Sequence, residues 1–270
     1  MSTSLTVVAC CYRLAPEEMI RRIQRLFVGQ PVRVSGFAVS AHLAESRQLQ
    51  DGWTALPTDN DDFDFSAYLT GALAAAERGL ADEPVLFVND TLFTNHAAGA
   101  NFKAVVRLLG VVRDIELPAI AGKTDRYTTI CLRNPWNGLD QYVPTYCFLL
   151  NAKGVAALLQ LRRWAEDDGV THDHDVGSPA WGSRLAPAFR EFLKASLVYQ
   201  RSPYLWYRLR DGRYSAAQLR SKARCIYFEH RLSGAIGSAG CILPSNAGPR
   251  WGSYLAIQER LSRLRRRLSP

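Results

Sequence analysis

Short apolar runs alternate with amphipathic stretches along the first third of the chain. Residues 6–11, 32–39 and 85–88 are β-rich runs of the length expected for buried strands. Apolar positions repeat at helical spacing in residues 19–27 and 65–78. This alternation predicts an α/β fold, with a mostly parallel, Rossmann-like central sheet flanked by helices.

The same patterns continue through the rest of the chain. They predict helices at residues 102–109, 154–163 and 181–197, a strand at 142–150 and a terminal helix at 254–268. Ligands of mostly parallel sheets bind beyond the carboxyl ends of the strands. We therefore expect the functional residues in the loops that follow the first and third strands.

The composition narrows the class of protein. Apolar residues make up 47% of the 270 residues, which is ample for a buried core. We predict a core at residues 1–200 and a C-terminal extension, rich in arginine and aromatic residues, at 201–270. The apolar runs are far shorter than the roughly 20 residues needed to cross a bilayer, and no signal-peptide pattern begins the chain, so we expect a cytoplasmic protein.

Cysteine spacing and net charge exclude some partners and favour others. The six cysteines show no CxxC spacing, which disfavours both a zinc site and a disulfide framework. The net charge of +8 favours an anionic partner. Nucleic acid, acidic lipid and nucleotide diphosphate all carry the required charge, and the charge by itself does not choose among them.

An acidic loop at residues 59–64 precedes the predicted helix 65–78. Phe63 and Phe65 flank Asp64, and these apolar anchors would hold the carboxylate near the strand ends. In the alternative interpretation, the acidic residues only cap the helix and face its dipole.

The third predicted strand delivers Asn89, Asp90 and Thr91 at its carboxyl end. A carboxylate at this position can coordinate a hard divalent cation, Mn²⁺ or Mg²⁺, which would bridge the two phosphates of a nucleotide diphosphate. Asp90 is on this basis the leading candidate for a metal ligand. An Asx turn capping the next segment is the alternative.

The order of these features resembles GT-A glycosyltransferases, in particular bacterial polysaccharide-assembly enzymes of the rhamnan-synthesis type. The segment 60–71 and Asn89-Asp90-Thr91 carry the resemblance, which covers about the first 165 residues. The Asp-x-Asp of the family is reduced here to Asn89-Asp90, and Ser66 stands where a glycine is common.

The resemblance implies a GT-A-like fold that binds a nucleotide-sugar donor. Its donor-binding positions fall on Tyr12, Arg13, Asn60, Asp64, Asn89, Thr145 and Arg126. Tyr12 and Arg13 would border the nucleotide base, and Thr145 would hydrogen-bond sugar hydroxyls. Arg126 would complement the phosphates, although solvated surface charge is the alternative for this side chain.

Two further segments of the chain carry candidate chemistry. Inverting GT-A enzymes have an acidic general base where this chain has the segment 171–175, so the resemblance implies Asp175 as the catalytic base and Asp173 as the reserve. It also implies that His230 returns to the metal or the diphosphate. A polar capping loop at 171–175 and a structural core histidine at 230 are the alternatives.

The predicted terminal helix is basic and amphipathic. One face carries Ile257, Leu261, Leu264 and Leu268, and five arginines, at 260, 263, 265, 266 and 267, occupy the remainder. Such a helix lies on an anionic membrane surface, docks on its own protein with a solvated basic face, or binds a partner. The sequence leaves these three interpretations open.

Three classes of function remain. The leading hypothesis is a glycosyltransferase that moves a sugar from a nucleotide-sugar donor to a glycan or lipid-linked acceptor. A non-catalytic scaffold or regulatory subunit of the same fold is the alternative, and the incomplete Asp-x-Asp favours it. A basic nucleic-acid-binding protein ranks third because no nucleic-acid motif is present, so we expect no nucleic acid partner.

Overall fold

The computed structural model describes residues 3–127, 131–197 and 214–268. Its strands are β1 (Thr3–Cys10), β2 (Val32–Ser40), β3 (Arg47–Gln48), β4 (Trp53–Pro57), β5 (Val85–Asn89), β6 (Ala119–Gly122), β7 (Asp125–Arg126), β8 (Gln141–Tyr142), β9 (Cys147–Leu150) and β10 (Cys241–Pro244). Its helices are α1 (Pro16–Phe27), α2 (Asp64–Glu77), α3 (Thr91–Asn95), α4 (Ala98–Val106), α5 (Leu109–Asp114), α6 (Ala152–Leu159), α7 (Leu161–Asp168), α8 (Pro187–Leu197), α9 (Ala216–Ala239) and α10 (Pro249–Leu268).

Eight of these strands form one sheet in the order β10-β6-β9-β5-β1-β2-β4-β3. Strands β4, β2, β1 and β5 are parallel neighbours, and β10 is parallel to β6. Strand β9 is antiparallel to both β5 and β6, and β3 is antiparallel to β4. The prediction of an α/β fold with a mostly parallel sheet is therefore confirmed, and the mixed sheet is consistent with a Rossmann-like fold.

The sheet is covered by helices on both faces because successive strand residues point to opposite sides. In β5, Val85 and Phe87 join the core that includes residues of α2, α6, α7, α8 and α9. Leu86 and Val88 join the opposite core, with residues of α1, α4 and α5. Helix α2 lies close against β1 at Gly71, where an added Cβ would come within 2.4 Å of the Val8 side chain.

Three predicted elements are divided in the structure. The predicted helix 102–109 spans the end of α4 and the start of α5. The predicted strand 142–150 becomes β8 and β9, because the chain leaves β8 just before Pro144, which has no N–H for a sheet. The predicted helix 154–163 becomes α6 and α7, which meet at Gln160. The four-residue strands β6 and β10, at one end of the sheet, were not predicted.

The C-terminal segment belongs to the main sheet and core. The predicted boundary at residue 200 lies outside the described residues. Beyond it, β10 pairs with β6, and Tyr227 and Phe228 of α9 are buried in the same core as residues of β5. Strand β10 therefore forms an edge of the main sheet, and α9 packs in its core. No helix in the described ranges is long and apolar enough to span a membrane.

A buried carboxylate joins the acidic loop to α7 and α9. Asp62 is 1% exposed, and Arg224 Nε donates to its Oδ1 at 2.6 Å while Arg162 Nε donates to its Oδ2 at 2.8 Å. Arg224 is itself 3% exposed. A buried charge is tolerated only with such partners, so this contact fixes α9 against the start of α2.

We expect Asp62→Ala to lower the free energy of unfolding by about 3–5 kcal/mol, because it removes the buried carboxylate that accepts from Nε of the buried Arg224. Urea denaturation of the purified protein measures the change. Asp61→Ala removes the exposed neighbouring carboxylate and should stay within about 0.5 kcal/mol of wild type. Equal losses in both variants would contradict this role of Asp62.

Candidate functional site

A cleft of about 560 Å³ opens at the carboxyl edge of the sheet. Asn89 at the end of β5 and Thr145 just before β9 form one wall, and Lys222 and Glu229 of α9 form another. Its volume falls in the range of about 300–1,000 Å³ that is typical of small-molecule sites. The cleft therefore lies where ligands of mostly parallel sheets bind.

Asp64 and Asn89 form a hydrogen-bonded pair in the cleft. Asn89 Nδ2 donates to Asp64 Oδ2 at 2.7 Å, and the Thr91 hydroxyl donates to Asn89 Oδ1. Burial raises the pKa of Asp64 above its ordinary value. The amide and carboxylate predicted from two separate segments are thus brought together.

The backbone at Phe63 separates two carboxylates of the acidic loop. Phe63 has φ 51°, a left-handed conformation that is uncommon for a bulky residue. On one side Asp62 contacts Arg224, and on the other Asp64 lines the cleft. Strained backbone of this kind is often found at functional sites.

Glu229 is held by the chain just before β9. The Thr145 N–H and the Thr145 hydroxyl both donate to Glu229 Oε2, at 2.9 and 3.0 Å. The Tyr68 hydroxyl donates to the Thr145 carbonyl at 2.6 Å and holds the segment in place. Burial raises the pKa of Glu229 to about 7, so the carboxyl exchanges its proton near neutral pH.

Lys222 supplies a cation to the same cleft. It precedes Glu229 by seven residues, two helical turns along the same face of α9. Burial acts to lower the pKa of Lys222, but Cys225, Asp64 and Glu229 raise it above its ordinary value. Lys222 is therefore charged at neutral pH.

Asp90 binds the loop that follows β1. Its carboxylate Oδ2 accepts the N–H groups of Tyr12 and Leu14, both at 3.0 Å, and that of Arg13. The side chain is 1% exposed, and it is Asn89 and Thr91, on either side, that line the cleft. Three backbone donors thus share one oxygen of Asp90, and this contact holds the loop after β1 against the end of β5.

His230 lies inside an aromatic cluster. Its Nδ1 is 2.7 Å from the Tyr127 hydroxyl, and the rings of Tyr142, Phe189 and Phe192 surround it. Burial lowers the pKa of His230 to about 3, which keeps the imidazole neutral. The structure therefore places His230 in the core, and the α9 carboxylate that reaches the cleft is the preceding residue, Glu229.

The two residues predicted to bind Mn²⁺ or Mg²⁺, Asp90 and His230, do not share a site. The two predicted ligands are separated, since Asp90 binds the loop after β1 and His230 packs among aromatic rings. Within residues 3–127, 131–197 and 214–268, no three His, Cys, Asp or Glu side chains cluster closely enough to hold a metal ion.

Asp173 and Asp175 lie outside the cleft. Both are exposed, and Asp175 forms an ion pair with Arg220. Neither is among the residues that line the cleft, which has Glu229 as a carboxylate beside Thr145. Of these three carboxylates, Glu229 is the one that lines the cleft.

The remaining predicted residues divide between two adjoining depressions. Tyr12 and Asn60 line a shallow recess beside the loop after β1, and Asp64 borders both this recess and the cleft. Arg126 and Thr145 line the cleft itself. Arg13 contributes a backbone N–H to Asp90, and its side chain is exposed.

Sequence patterns did not reveal Lys222 or Glu229. They lie on a helix with no recognisable motif, and their spacing of seven residues, two turns on one helical face, is also that of ordinary surface charges. A lysine and a glutamate on either side of the apolar run 225–228 were the available signal. No protein-family model, curated protein or solved structure matches this chain.

We expect a pH-dependent stability difference between wild type and Glu229→Gln. Because the pKa of Glu229 is raised from 4.5 to about 7, its stabilising contribution is complete below about pH 4.5 and is lost as pH rises through 7. The unfolding free energy of wild type minus that of the variant should fall by up to about 3 kcal/mol over this interval, at about 1.4 kcal/mol per pKa unit.

Urea denaturation at a series of pH values from about 4.5 to about 8 measures this difference. Glu77→Gln, an exposed helical glutamate on α2, is the control and should show a difference that does not fall with pH. A flat difference for Glu229→Gln as well would contradict the raised pKa.

Proposed function

We propose that this protein is a GT-A-like glycosyltransferase that transfers a sugar from a nucleotide-sugar donor to a glycan or lipid-linked acceptor. The observation that carries the proposal is the cleft at the carboxyl edge of the sheet, where Asp64, Asn89, Lys222 and Glu229 meet. Asp64 and Asn89 belong to the segments where the resemblance to GT-A enzymes implies donor binding. Helix α9 adds a cation, Lys222, and a carboxylate, Glu229.

In this proposal the diphosphate lies in the cleft beside Asp64. The base and ribose extend from the cleft toward the loop after β1, where the Tyr12 side chain is 44% exposed. The positive charge that stabilises the departing diphosphate comes from Lys222 and Arg126. Positioned cations that meet developing charge are among the strongest contributions to catalysis.

Glu229 is proposed as the general base for the acceptor. It takes the proton of the acceptor hydroxyl, whose oxygen forms a bond to the anomeric carbon. The bond between that carbon and the phosphate oxygen breaks, and its electron pair leaves with the nucleotide diphosphate. A carboxylate with a pKa of about 7 is suited to this step near neutral pH.

We expect a nucleotide-sugar to stabilise the protein by about 2.7 kcal/mol at one hundred times its dissociation constant, because it binds only the native state. A thermal-shift screen of UDP-, GDP-, CMP- and dTDP-sugars identifies the donor. The shift should be the same with Mn²⁺ and with EDTA, because the cleft provides its own cations.

Lys222→Met should then weaken binding of the identified donor at least about tenfold, as expected for the loss of a charged contact to phosphate. Lys153→Met removes the same charge from an exposed position on α6 and serves as the matched control. Equal dissociation constants for the two variants, measured by calorimetry, would show that the diphosphate does not bind in this cleft.

Hydrolysis of the donor tests the assignment of the base. We expect Glu229→Gln to lower the rate about 100-fold or more, the usual contribution of a general base, and to leave donor affinity within about threefold. Asp175→Asn should keep the wild-type rate. A rate that falls in Asp175→Asn and stays at the wild-type level in Glu229→Gln would instead identify Asp175 as the base.

The same assays separate the proposal from the two other classes of function. A donor that binds in the cleft with neither hydrolysis nor transfer would identify a non-catalytic nucleotide-sugar-binding subunit. Salt-dependent retention of RNA or DNA that nucleotide-sugars do not reverse would instead indicate a nucleic-acid-binding protein.

A further inference from the structure

The outward face of α10 is apolar. Tyr254, Ile257, Leu261 and Leu264 are between 37% and 57% exposed and follow one another at spacings of three and four residues. We call these four residues the α10 stripe. They form a continuous apolar band about 15 Å long, given a rise of 1.5 Å per residue.

The polar face of α10 is the one that packs on the protein. Glu259 is 7% exposed and accepts a hydrogen bond from Asn101 Nδ2 at 2.6 Å. Arg266 Nη2 donates to the Asn95 carbonyl at 2.7 Å, and the Ser262 hydroxyl donates to the His96 carbonyl at 3.3 Å. These contacts, together with buried Leu255, prevent the helix from rolling to bury its stripe.

The positive charge beside the α10 stripe indicates which kind of partner binds it. Helical periodicity places Arg260 and Arg265 on its two sides, and both side chains are exposed. Glu259, the single acidic residue of α10, faces inward. A second copy of the chain would bring arginines against arginines, whereas an anionic surface complements them.

We propose that α10 docks on an anionic lipid bilayer, with the α10 stripe inserted among the headgroups and the flanking arginines at the lipid phosphates. Exposed apolar bands with arginine at their margins are typical of helices that lie in the membrane interface. This surface rests on α10 alone and does not require the proposed transferase activity.

Docking would also orient the cleft. The inner face of α10 contacts the backbone of Asn95 and His96, and both residues line the cleft. Resting on the proposed function, this arrangement brings the cleft close to the bilayer surface and favours a lipid-linked acceptor over a soluble glycan.

Co-sedimentation with vesicles tests the proposal on the full chain without any nucleotide-sugar. We expect binding to vesicles of phosphatidylcholine with phosphatidylserine, and at least tenfold weaker binding to phosphatidylcholine alone. The double variant Ile257→Asn, Leu261→Asn should reduce partitioning at least tenfold, because two apolar side chains lose their insertion.

Matched controls separate insertion and charge from general effects. Val28→Asn with Leu117→Asn changes two exposed apolar residues elsewhere and should leave partitioning unchanged. Arg260→Gln with Arg265→Gln should weaken it about tenfold or more, whereas Arg163→Gln, also exposed on α7, should have little effect. Circular dichroism verifies that each variant is folded.

Two results would overturn the proposal. Equal partitioning onto neutral and anionic vesicles would show that the arginines do not bind lipid phosphates. A concentration-dependent dimer in light scattering, abolished by the Ile257→Asn, Leu261→Asn variant and accompanied by no vesicle binding, would assign the α10 stripe to a second copy. Lys222→Met should bind vesicles as wild type does, so failure of the proposed donor site is distinguishable from failure of membrane docking.

Discussion

The buried carboxylate of Asp62 fixes helix α9 relative to the segment that carries Asp64. Its contact with Arg224 lies two residues from Asp64 along one segment and two residues from Lys222 along the other. Because a buried charge holds its partner within hydrogen-bond distance, α9 cannot shift along the sheet without breaking this contact. The positions of Asp64 and Lys222 in the cleft, and of Glu229 two turns further along α9, follow from it.

The cleft combines half-buried charges of both signs. Burial acts to lower the pKa of Lys222, and the carboxylates nearby raise it. Burial raises the pKa of Glu229, while Thr145 donates two hydrogen bonds to its carboxylate. Such opposed effects are typical of sites that handle protons and anions. Asp90 does not line the cleft, but its carboxylate accepts backbone N–H groups of the loop after β1 and holds that loop in place.

A polar network connects the cleft to α10. His96 lines the cleft, stacks on Tyr146 at 3.7 Å between ring centroids, and lies 3.4 Å from Glu259 Oε1. Burial opposes the charge of Glu259, but hydrogen bonds from His96 and Asn101 lower its pKa to about 2. Glu259 is therefore ionised at neutral pH, and its inward orientation leaves the outer face of α10 to apolar and basic residues.

The sequence by itself determined the α/β class, the strands β1, β2 and β5 and the candidate loops, because apolar periodicity and strand-end polar residues are local signals. It also located Asp64, Asn89, Thr145 and Arg126, which the structure brings to one cleft. Only the tertiary structure decided that Glu229 lines that cleft while Asp90 and Asp175 do not, and which side of α10 faces outward. Those outcomes depend on partners distant in sequence, such as Tyr12 for Asp90, Tyr127 for His230 and Asn101 for Glu259. A side chain's role depends on whether such a partner satisfies it in the folded chain, and residue spacing does not contain that information.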